Sequence, residues 1–289
     1  MVSGRENTSQ NTRITHISAR SESSASRLKE LLQYRDFIVL WTKKTLTLSY
    51  KQTILGPLWL IITPLLSAVT YMLVFGRIAG IRTDGIPQIL FYLVNNAAWR
   101  LFSSCFQNNA RTFTANANLF GKVYFPRLSI PVSNLFAALI LFLIEMAIVL
   151  VVFVWYLAKG AVQICWQYLW AAVPAVLVIA VLGMSAGIII SSLTTRYRDL
   201  SVLVSFGTQL LMYATPVVYP VSQISDPFLQ KLILLNPLSA PMETLRLALF
   251  GSGMVVSWSL WWSLACTVLL LVCGVRIFGR VERTFMDTV

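Results

Sequence analysis

Hydrophobic positions along this chain are gathered into six long apolar stretches, which short polar loops separate. A bilayer crossing takes about 20 mostly apolar residues, and each stretch reaches that length or comes close to it. No alternation of apolar and polar positions repeats often enough for a membrane barrel. The pattern predicts an all-α integral membrane protein whose six transmembrane helices lie near residues 54–75, 89–110, 128–157, 168–193, 201–219 and 258–278.

The segments outside these stretches follow other patterns. Residues 1–26 are polar and predict a disordered cytoplasmic tail, and residues 51–289 form the six-span domain. Between them, residues 27–50 place apolar side chains at helical spacing among charges, which predicts an amphipathic helix lying in the cytoplasmic membrane interface with Trp41 at head-group level. A solvated helix docked on a partner is the alternative for residues 27–50.

Residues 227–250 contain two apolar runs that are too short to cross the bilayer and are divided by prolines. We predict two re-entrant helices on the outer side, before the last span. A plain extracellular helical hairpin is the alternative. On the fourth span, Gly183 and Gly187 form a G-x-x-x-G pair, which lets two helices approach closely.

The basic charge of the chain follows membrane topology. Of the 23 Lys and Arg residues, 17 fall in the two termini and in the loops after the second and fourth spans. This asymmetry predicts that both termini are cytoplasmic, and the net charge of +12 then reflects topology and attraction to anionic membrane lipids rather than nucleic-acid binding. With 57% hydrophobic and 12% charged residues, the composition agrees with an integral membrane protein.

Catalytic and metal-binding motifs are missing from the sequence. There is no P-loop, no H-E-x-x-H and no G-x-S-x-G, and the chain's single histidine cannot build a metal site. We therefore expect no catalytic residues, no metal and no cofactor bound by this chain. If the protein drives transport, its energy comes from another chain.

Two ionisable residues lie deep in predicted spans, Arg100 in the second and Glu145 in the third. At about 1.5 Å of rise per residue, both lie near mid-bilayer, where an unpaired charge costs several kcal/mol. We predict that Arg100 and Glu145 form an ion pair that locks the two helices together. The alternative is that Arg100 faces a transport path and meets a pyrophosphate or an acidic sugar.

Three stretches carry a family signature: residues 49–59 (SYKQTILGPLW), residues 118–127 (NLFGKVYFPR), and residues 196–200 (RYRDL) followed by TPVVYP at 215–220. Together they resemble the membrane subunits of type 2 ABC exporters that move O-antigen, capsule and teichoic-acid polysaccharides. The resemblance runs from the amphipathic segment to the sixth span.

This resemblance implies a homodimeric permease of the bacterial inner membrane, which works with two copies of a cytoplasmic ABC ATPase that binds ATP and Mg²⁺. The substrate would be an undecaprenyl-linked glycan. The loop at 111–127 would couple to the ATPase, and we predict that residues 118–127 form a short cytoplasmic helix and turn whose apolar side chains enter a groove of that partner. Residues near the cytoplasmic membrane surface would form a gate or interface. The coupling residues would be Asn118, Leu119, Lys122, Val123, Tyr124, Phe125, Pro126 and Arg127, and the gate or interface residues Trp41, Lys51, Arg196, Arg198 and Asp199.

In this family the first and fifth spans face the channel, and aromatic side chains there suit the apolar faces of sugar rings. The candidates for a glycan path are Trp59, Tyr71, Phe75, Tyr213 and Tyr219. Two alternatives stay open: an exporter of the same fold for a drug, a lipid or a teichoic acid precursor, and a membrane enzyme acting on lipid-linked sugars.

Overall fold

The computed structural model describes residues 30–51, 53–120, 122, 125–163, 165–195, 197 and 199–285. Residues 1–26, Val123, Tyr124, Arg196 and Arg198, for which the sequence makes predictions, lie outside the described residues.

The described residues are helical throughout their regular structure, as predicted. The helices are α1 (Arg35–Tyr50), α2 (Trp59–Tyr71, continued by a π-helical turn at Met72–Ile78), α3 (Gln88–Ala110), α4 (Thr112–Phe120), α5 (Ser129–Ala158), α6 (Ala172–Thr194), α7 (Leu200–Tyr213), α8 (Pro227–Leu235), α9 (Ser239–Phe250) and α10 (Ser257–Phe285).

Four helical stretches of the described chain are long and apolar enough to cross a membrane: Gly56–Ile78, Ser129–Ala158, Leu169–Thr194 and Ser257–Glu282. They agree within a few residues with the first, third, fourth and sixth predicted spans, except that the last helix extends further than predicted. The protein is therefore a multi-pass membrane protein.

Helix α3, the predicted second span, lies at the centre of the fold. It is long enough to cross at 23 residues, and 15 of them are buried. It packs against α2, α5, α6, α7 and α9, and three of its asparagines, Asn95, Asn96 and Asn109, are buried. Asn95 Nδ2 donates to the Val217 carbonyl at 3.0 Å, and Asn134 Nδ2 of α5 donates to Asn109 Oδ1 at 3.1 Å.

The predicted fifth span, 201–219, is helical only over Leu200–Tyr213. The chain then makes a turn in which the side chains of Thr215 and Val217 are fully buried. The residues of this turn are mostly apolar, like those of the helix before it. Hydropathy alone therefore could not locate the end of the helix.

Helices α3 and α6 approach closely at the two glycines singled out in the sequence. A Cβ atom on Gly183 would lie 2.7 Å from the Phe102 carbonyl oxygen, and one on Gly187 would lie 2.6 Å from the Phe106 carbonyl oxygen. Real Cβ atoms do not approach other atoms this closely, so only glycine allows this spacing between the two helix backbones.

Two short helices, α8 and α9, form a hairpin in the region of the predicted re-entrant helices, before the last long helix. With 9 and 12 residues they are about 14 and 18 Å long, too short for the ~30 Å hydrocarbon core. The hairpin is fastened to α10, where Trp262 Nε1 donates to the Leu235 carbonyl at 2.8 Å and Ser263 Oγ donates to the Pro237 carbonyl at 2.6 Å.

Candidate functional site

Arg100 of α3 and Glu145 of α5 are in contact, as their positions in the sequence predict. Arg100 Nε lies 3.0 Å from Glu145 Oε1. The carboxylate side chain is 8% exposed, whereas the guanidinium side chain is 35% exposed. The pair therefore joins two neighbouring helices and still presents its cationic member to open space.

That open space is a cavity of about 220 Å³ between α2, α3 and α5. Trp59, at the start of α2, lies on its wall together with Arg100 and Glu145. The structure thus brings one of the predicted glycan-path aromatics to the predicted ion pair, a combination that the sequence did not indicate.

Of the other predicted path aromatics, Tyr71 and Phe75 lie at the far end of α2, whereas Tyr213 ends α7 and Tyr219 follows it. Tyr71 is half-buried, with its ring 5.9 Å from Phe75 and 6.3 Å from Tyr92, and its hydroxyl donates to Met212 Sδ at 3.6 Å. Tyr219 Oη donates to the Tyr213 carbonyl at 2.9 Å. Twelve residues separate Trp59 from Tyr71, or about 18 Å of helix, so these aromatics occupy two levels along α2.

The two levels also differ in accessibility. Tyr71 and Phe75 pack against the main core, whereas Tyr213 is 56% exposed and Trp59 is 43% exposed. Of the path candidates, Tyr213 and Trp59 are therefore the most accessible to a ligand.

The predicted coupling segment differs from expectation in where its helix lies and in which side chains it exposes. The helix is Thr112–Phe120, with a kink at Asn116, and it begins upstream of the predicted start at Asn118. Phe125 was expected to enter a partner's groove but is 5% exposed. Its ring lies 4.6 Å from that of Phe37 in α1 and 5.7 Å from that of Phe120.

Phe125 belongs to an apolar cluster of this chain, which we name the coupling-segment cluster. Its buried members are Phe113, Phe120, Phe125, Ile130, Ile188 and Phe278, and Tyr34, Phe37, Trp41, Leu119, Leu128, Val275 and Val281 pack against it. The cluster joins α1, the coupling segment, α6 and α10. Asn118 and Lys122 remain exposed on its surface, and Leu119 is partly buried.

Arg127 closes the coupling segment against the last helix. Its Nη1 donates to the Glu282 carbonyl at 2.6 Å, and its guanidinium lies over the Phe120 ring at 5.2 Å. Burial lowers the pKa of Arg127, and the Glu282 carboxylate opposes that shift. Pro126 is partly buried beside it. Arg127 therefore has a structural role here rather than offering a free charge to a partner.

The predicted gate or interface residues are distributed over two elements. Trp41 of α1 is half-buried and stacks on Phe37 at 5.7 Å, while Lys44 Nζ lies 3.9 Å from its ring centre. Lys51 is exposed at the end of α1, and Asp199 is exposed just before α7.

The sequence did not indicate an ion pair that is the most deeply buried one among the described residues. Glu243 and Arg246 of α9 are 0% and 1% exposed and form an ion pair. The Glu243 carboxylate also accepts from the backbone N–H of Met254 at 2.9 Å and of Val221 at 3.3 Å. A carboxylate three residues before an arginine in a short apolar helix was the available signal.

The chain is similar to known transporter proteins. Residues 36–250 match the family model described as ABC-2 type transporter. Two proteins of Klebsiella pneumoniae, each named O-antigen export system permease protein RfbA, are 30% identical over 253 residues and 31% identical over 254 residues, in both cases 87% of this chain and 94% of the relative. A protein of the same name from Myxococcus xanthus is 26% identical over 266 residues, which are 91% of this chain and 98% of that protein.

Proposed function

This chain belongs to the ABC-2 type transporter family, and on that premise we propose that it is the membrane permease of an ATP-driven exporter that moves O-antigen, or a similar lipid-linked polysaccharide, across the bacterial inner membrane. The similarity to O-antigen export permeases over nearly the whole length of both chains carries this proposal.

We propose six spans, with α3 and α7 crossing beside the four long apolar helices. The burial of α3 supports a crossing despite its polar residues, because Asn95, Asn96 and Asn109 are buried within the protein and Arg100 is paired with Glu145. Helix α7 is about 21 Å long, and the turn after it would complete the crossing. Irregular backbone is tolerated at membrane depth where protein covers it, and this turn packs on α3 through Asn95.

In the same proposal, α1 lies in the cytoplasmic interface and the α8–α9 hairpin enters the membrane from the outside. Exposed Leu32, Val39, Leu40 and Leu48 support the contact between lipid and the N-terminal helical segment. Both termini are then cytoplasmic. A second copy of the chain would complete the path along α2 and α7, whose exposed apolar side chains include Leu66, Val69, Val202, Leu203 and Phe206.

A deletion experiment tests the proposed function. In a strain whose only permease gene of this type is removed, we expect surface O-antigen to disappear and undecaprenyl-linked glycan to accumulate inside the cell, with recovery on complementation. Immunoblots of lipopolysaccharide and extraction of the lipid-linked glycan measure the two pools. Normal surface O-antigen in the deletion strain would overturn the proposal, and loss of another exported lipid instead would reassign the substrate.

The family implies an ABC ATPase partner, and we propose that the exposed part of the coupling segment contacts it. Reversing charge at Lys122 (Lys122→Glu) should lower co-purification of the ATPase severalfold and leave the yield of the permease unchanged. Phe125→Ala should instead lower the yield, since truncating a buried phenylalanine costs about 3–5 kcal/mol. Lys231→Glu, an exposed charge reversal on α8, is the control, and normal ATPase recovery with Lys122→Glu would contradict the assignment.

Tyr213 tests the aromatic path with the least disturbance of the fold, because its ring is exposed. We expect Tyr213→Ala to lower surface glycan per permease severalfold and Tyr213→Phe to keep most of it, since a ring face is what stacks on a sugar. Trp170→Ala, an exposed aromatic that precedes α6, serves as the control. Equal export by the alanine and phenylalanine variants of Tyr213 would remove this residue from the path.

A further inference from the structure

The cavity between α2, α3 and α5 has a composition that points to a ligand. Its polar wall is made by Thr63 of α2, Arg100 and Ser104 of α3, and Glu145 of α5, with Trp59 beside them. Buried apolar residues such as Ala97, Leu101 and Phe142 form the remainder of the wall. At about 220 Å³ the cavity is far larger than the ~10–15 Å³ that a single water needs.

Hydrogen-bonding capacity in this cavity is left unused. Glu145 is 7% exposed, and while its Oε1 contacts Arg100, its Oε2 has no hydrogen-bond partner among the described residues. The Arg100 side chain makes its closest contact with Glu145 through Nε and is 35% exposed, so part of this donor group is accessible. A buried carboxylate oxygen without a donor carries a desolvation penalty, and other atoms of the same Glu145 side chain line the cavity.

The paired charges indicate which kind of ligand would satisfy both groups. Glu145 offers an acceptor and Arg100 offers donors, so a ligand must donate and accept within a few ångströms, which hydroxyl groups do. An anion would satisfy Arg100 but would meet the Glu145 carboxylate at short range, where like charges repel. A neutral polyol is therefore favoured over a phosphate.

The aromatic residue on the cavity wall matches a second feature of such a ligand. Trp59 lines the same cavity and is 43% exposed, and a pyranose combines apolar C–H faces, which stack on aromatic rings, with hydroxyl edges. Ser104 and Thr63 add short hydroxyl side chains that can donate or accept. Aromatic face, paired charge and hydroxyls together match one sugar ring.

We infer that the cavity formed by Trp59, Thr63, Arg100, Ser104 and Glu145 is a sugar-binding subsite that holds one ring of the glycan during export, an inference that rests on the proposed function. The ion pair then has two roles, since it joins α3 to α5 and presents fixed hydrogen-bonding groups to the passing polymer. A subsite of one ring would hold the polymer weakly enough for it to move on.

Protection of an introduced cysteine tests this subsite. In the complete transporter, with the four native cysteines replaced by alanine, Ser104→Cys places a thiol on the cavity wall. A small neutral methanethiosulfonate reagent is applied to cells in which the lipid-linked glycan accumulates and to cells that make only undecaprenyl phosphate. We expect the labelling rate to fall severalfold in the first cells alone. Ser103→Cys, on the same helix but outside the cavity wall, is the control and should label equally in both.

The remaining outcomes would overturn the inference. Protection of Ser104→Cys in both kinds of cell would assign the cavity to the lipid phosphate, and protection in neither would leave no ligand for it. If Ser104→Cys does not reach the membrane, Thr63→Cys on the facing helix gives the same measurement. Surface O-antigen is recorded in the same strains to separate the two proposals. If O-antigen is exported but Ser104→Cys is not protected, the subsite is wrong and the proposed function stands.

Discussion

Replacing Glu243 by alanine is expected to be among the most destabilising single changes in this protein. The substitution leaves the Arg246 guanidinium charged and 1% exposed beside the Phe91 ring, whose centre lies 5.0 Å away. It also removes the acceptor of the Met254 and Val221 N–H groups. Breaking a buried ion pair by removing one partner costs about 3–5 kcal/mol, so we expect a large loss of monodisperse protein and a markedly lower Tm in detergent.

The double variant Glu243→Gln with Arg246→Met separates the loss of the pair from the burial of an orphaned charge. It has no buried charge and keeps an amide oxygen that can accept from one of the two N–H groups. We therefore expect it to be more stable than Glu243→Ala alone. Lys231→Gln, at an exposed position of α8, should leave Tm unchanged. A Tm for Glu243→Ala equal to that of this control would contradict the structural role of the pair.

The Glu243 carboxylate also holds neighbouring segments of the chain together. Glu243 connects α9 to the segments before α8 and after α9, so one carboxylate fixes both ends of the hairpin. Asp84 adds a second connection, since its carboxylate accepts from Ser222 at 2.6 Å and from Gln223 at 3.1 Å. The hairpin is thus attached to the loop between α2 and α3, and a shift of α2 in a transport cycle would reach it.

Elements that consist of one long apolar run could be predicted from the sequence. Continuous apolar runs located α5 and α6 within a few residues, because few polar residues interrupt them. The Arg100–Glu145 contact was also predictable, because an isolated charge in an apolar segment requires a partner nearby.

What the sequence could not predict depends on tertiary packing. Phe125 lies in a loop that looks exposed in sequence, and only the approach of α1 and α10 shows that this chain itself covers the ring. The Glu243 carboxylate was likewise missed, because its backbone partners lie 11 and 22 residues away along the chain. Hydropathy describes the environment of a segment, not the direction in which one side chain points.

Replacing Gly187 by alanine is expected to destabilise the protein, although alanine favours helices over glycine by about 1 kcal/mol. The added Cβ would lie 2.6 Å from the Phe106 carbonyl oxygen and 2.7 Å from Asn109 Cβ. Both belong to α3, so the clash cannot be relieved by rotating one flexible side chain. Overpacking of this kind costs about 1–3 kcal/mol and separates the two helices at the centre of the fold.

Gly207 of α7 provides the matched control, because a Cβ there would meet nothing within 4 Å. Gly207→Ala should leave the Tm of the purified protein unchanged or raise it, whereas Gly187→Ala should lower it and Gly187→Leu should lower it further. Because α3 also carries Arg100, moving it away from α6 would shift the guanidinium relative to Glu145, so export should fall in the Gly187 variants even in the fraction that folds. Equal Tm values for Gly187→Ala and Gly207→Ala would show that the close approach of α3 and α6 is not required for stability.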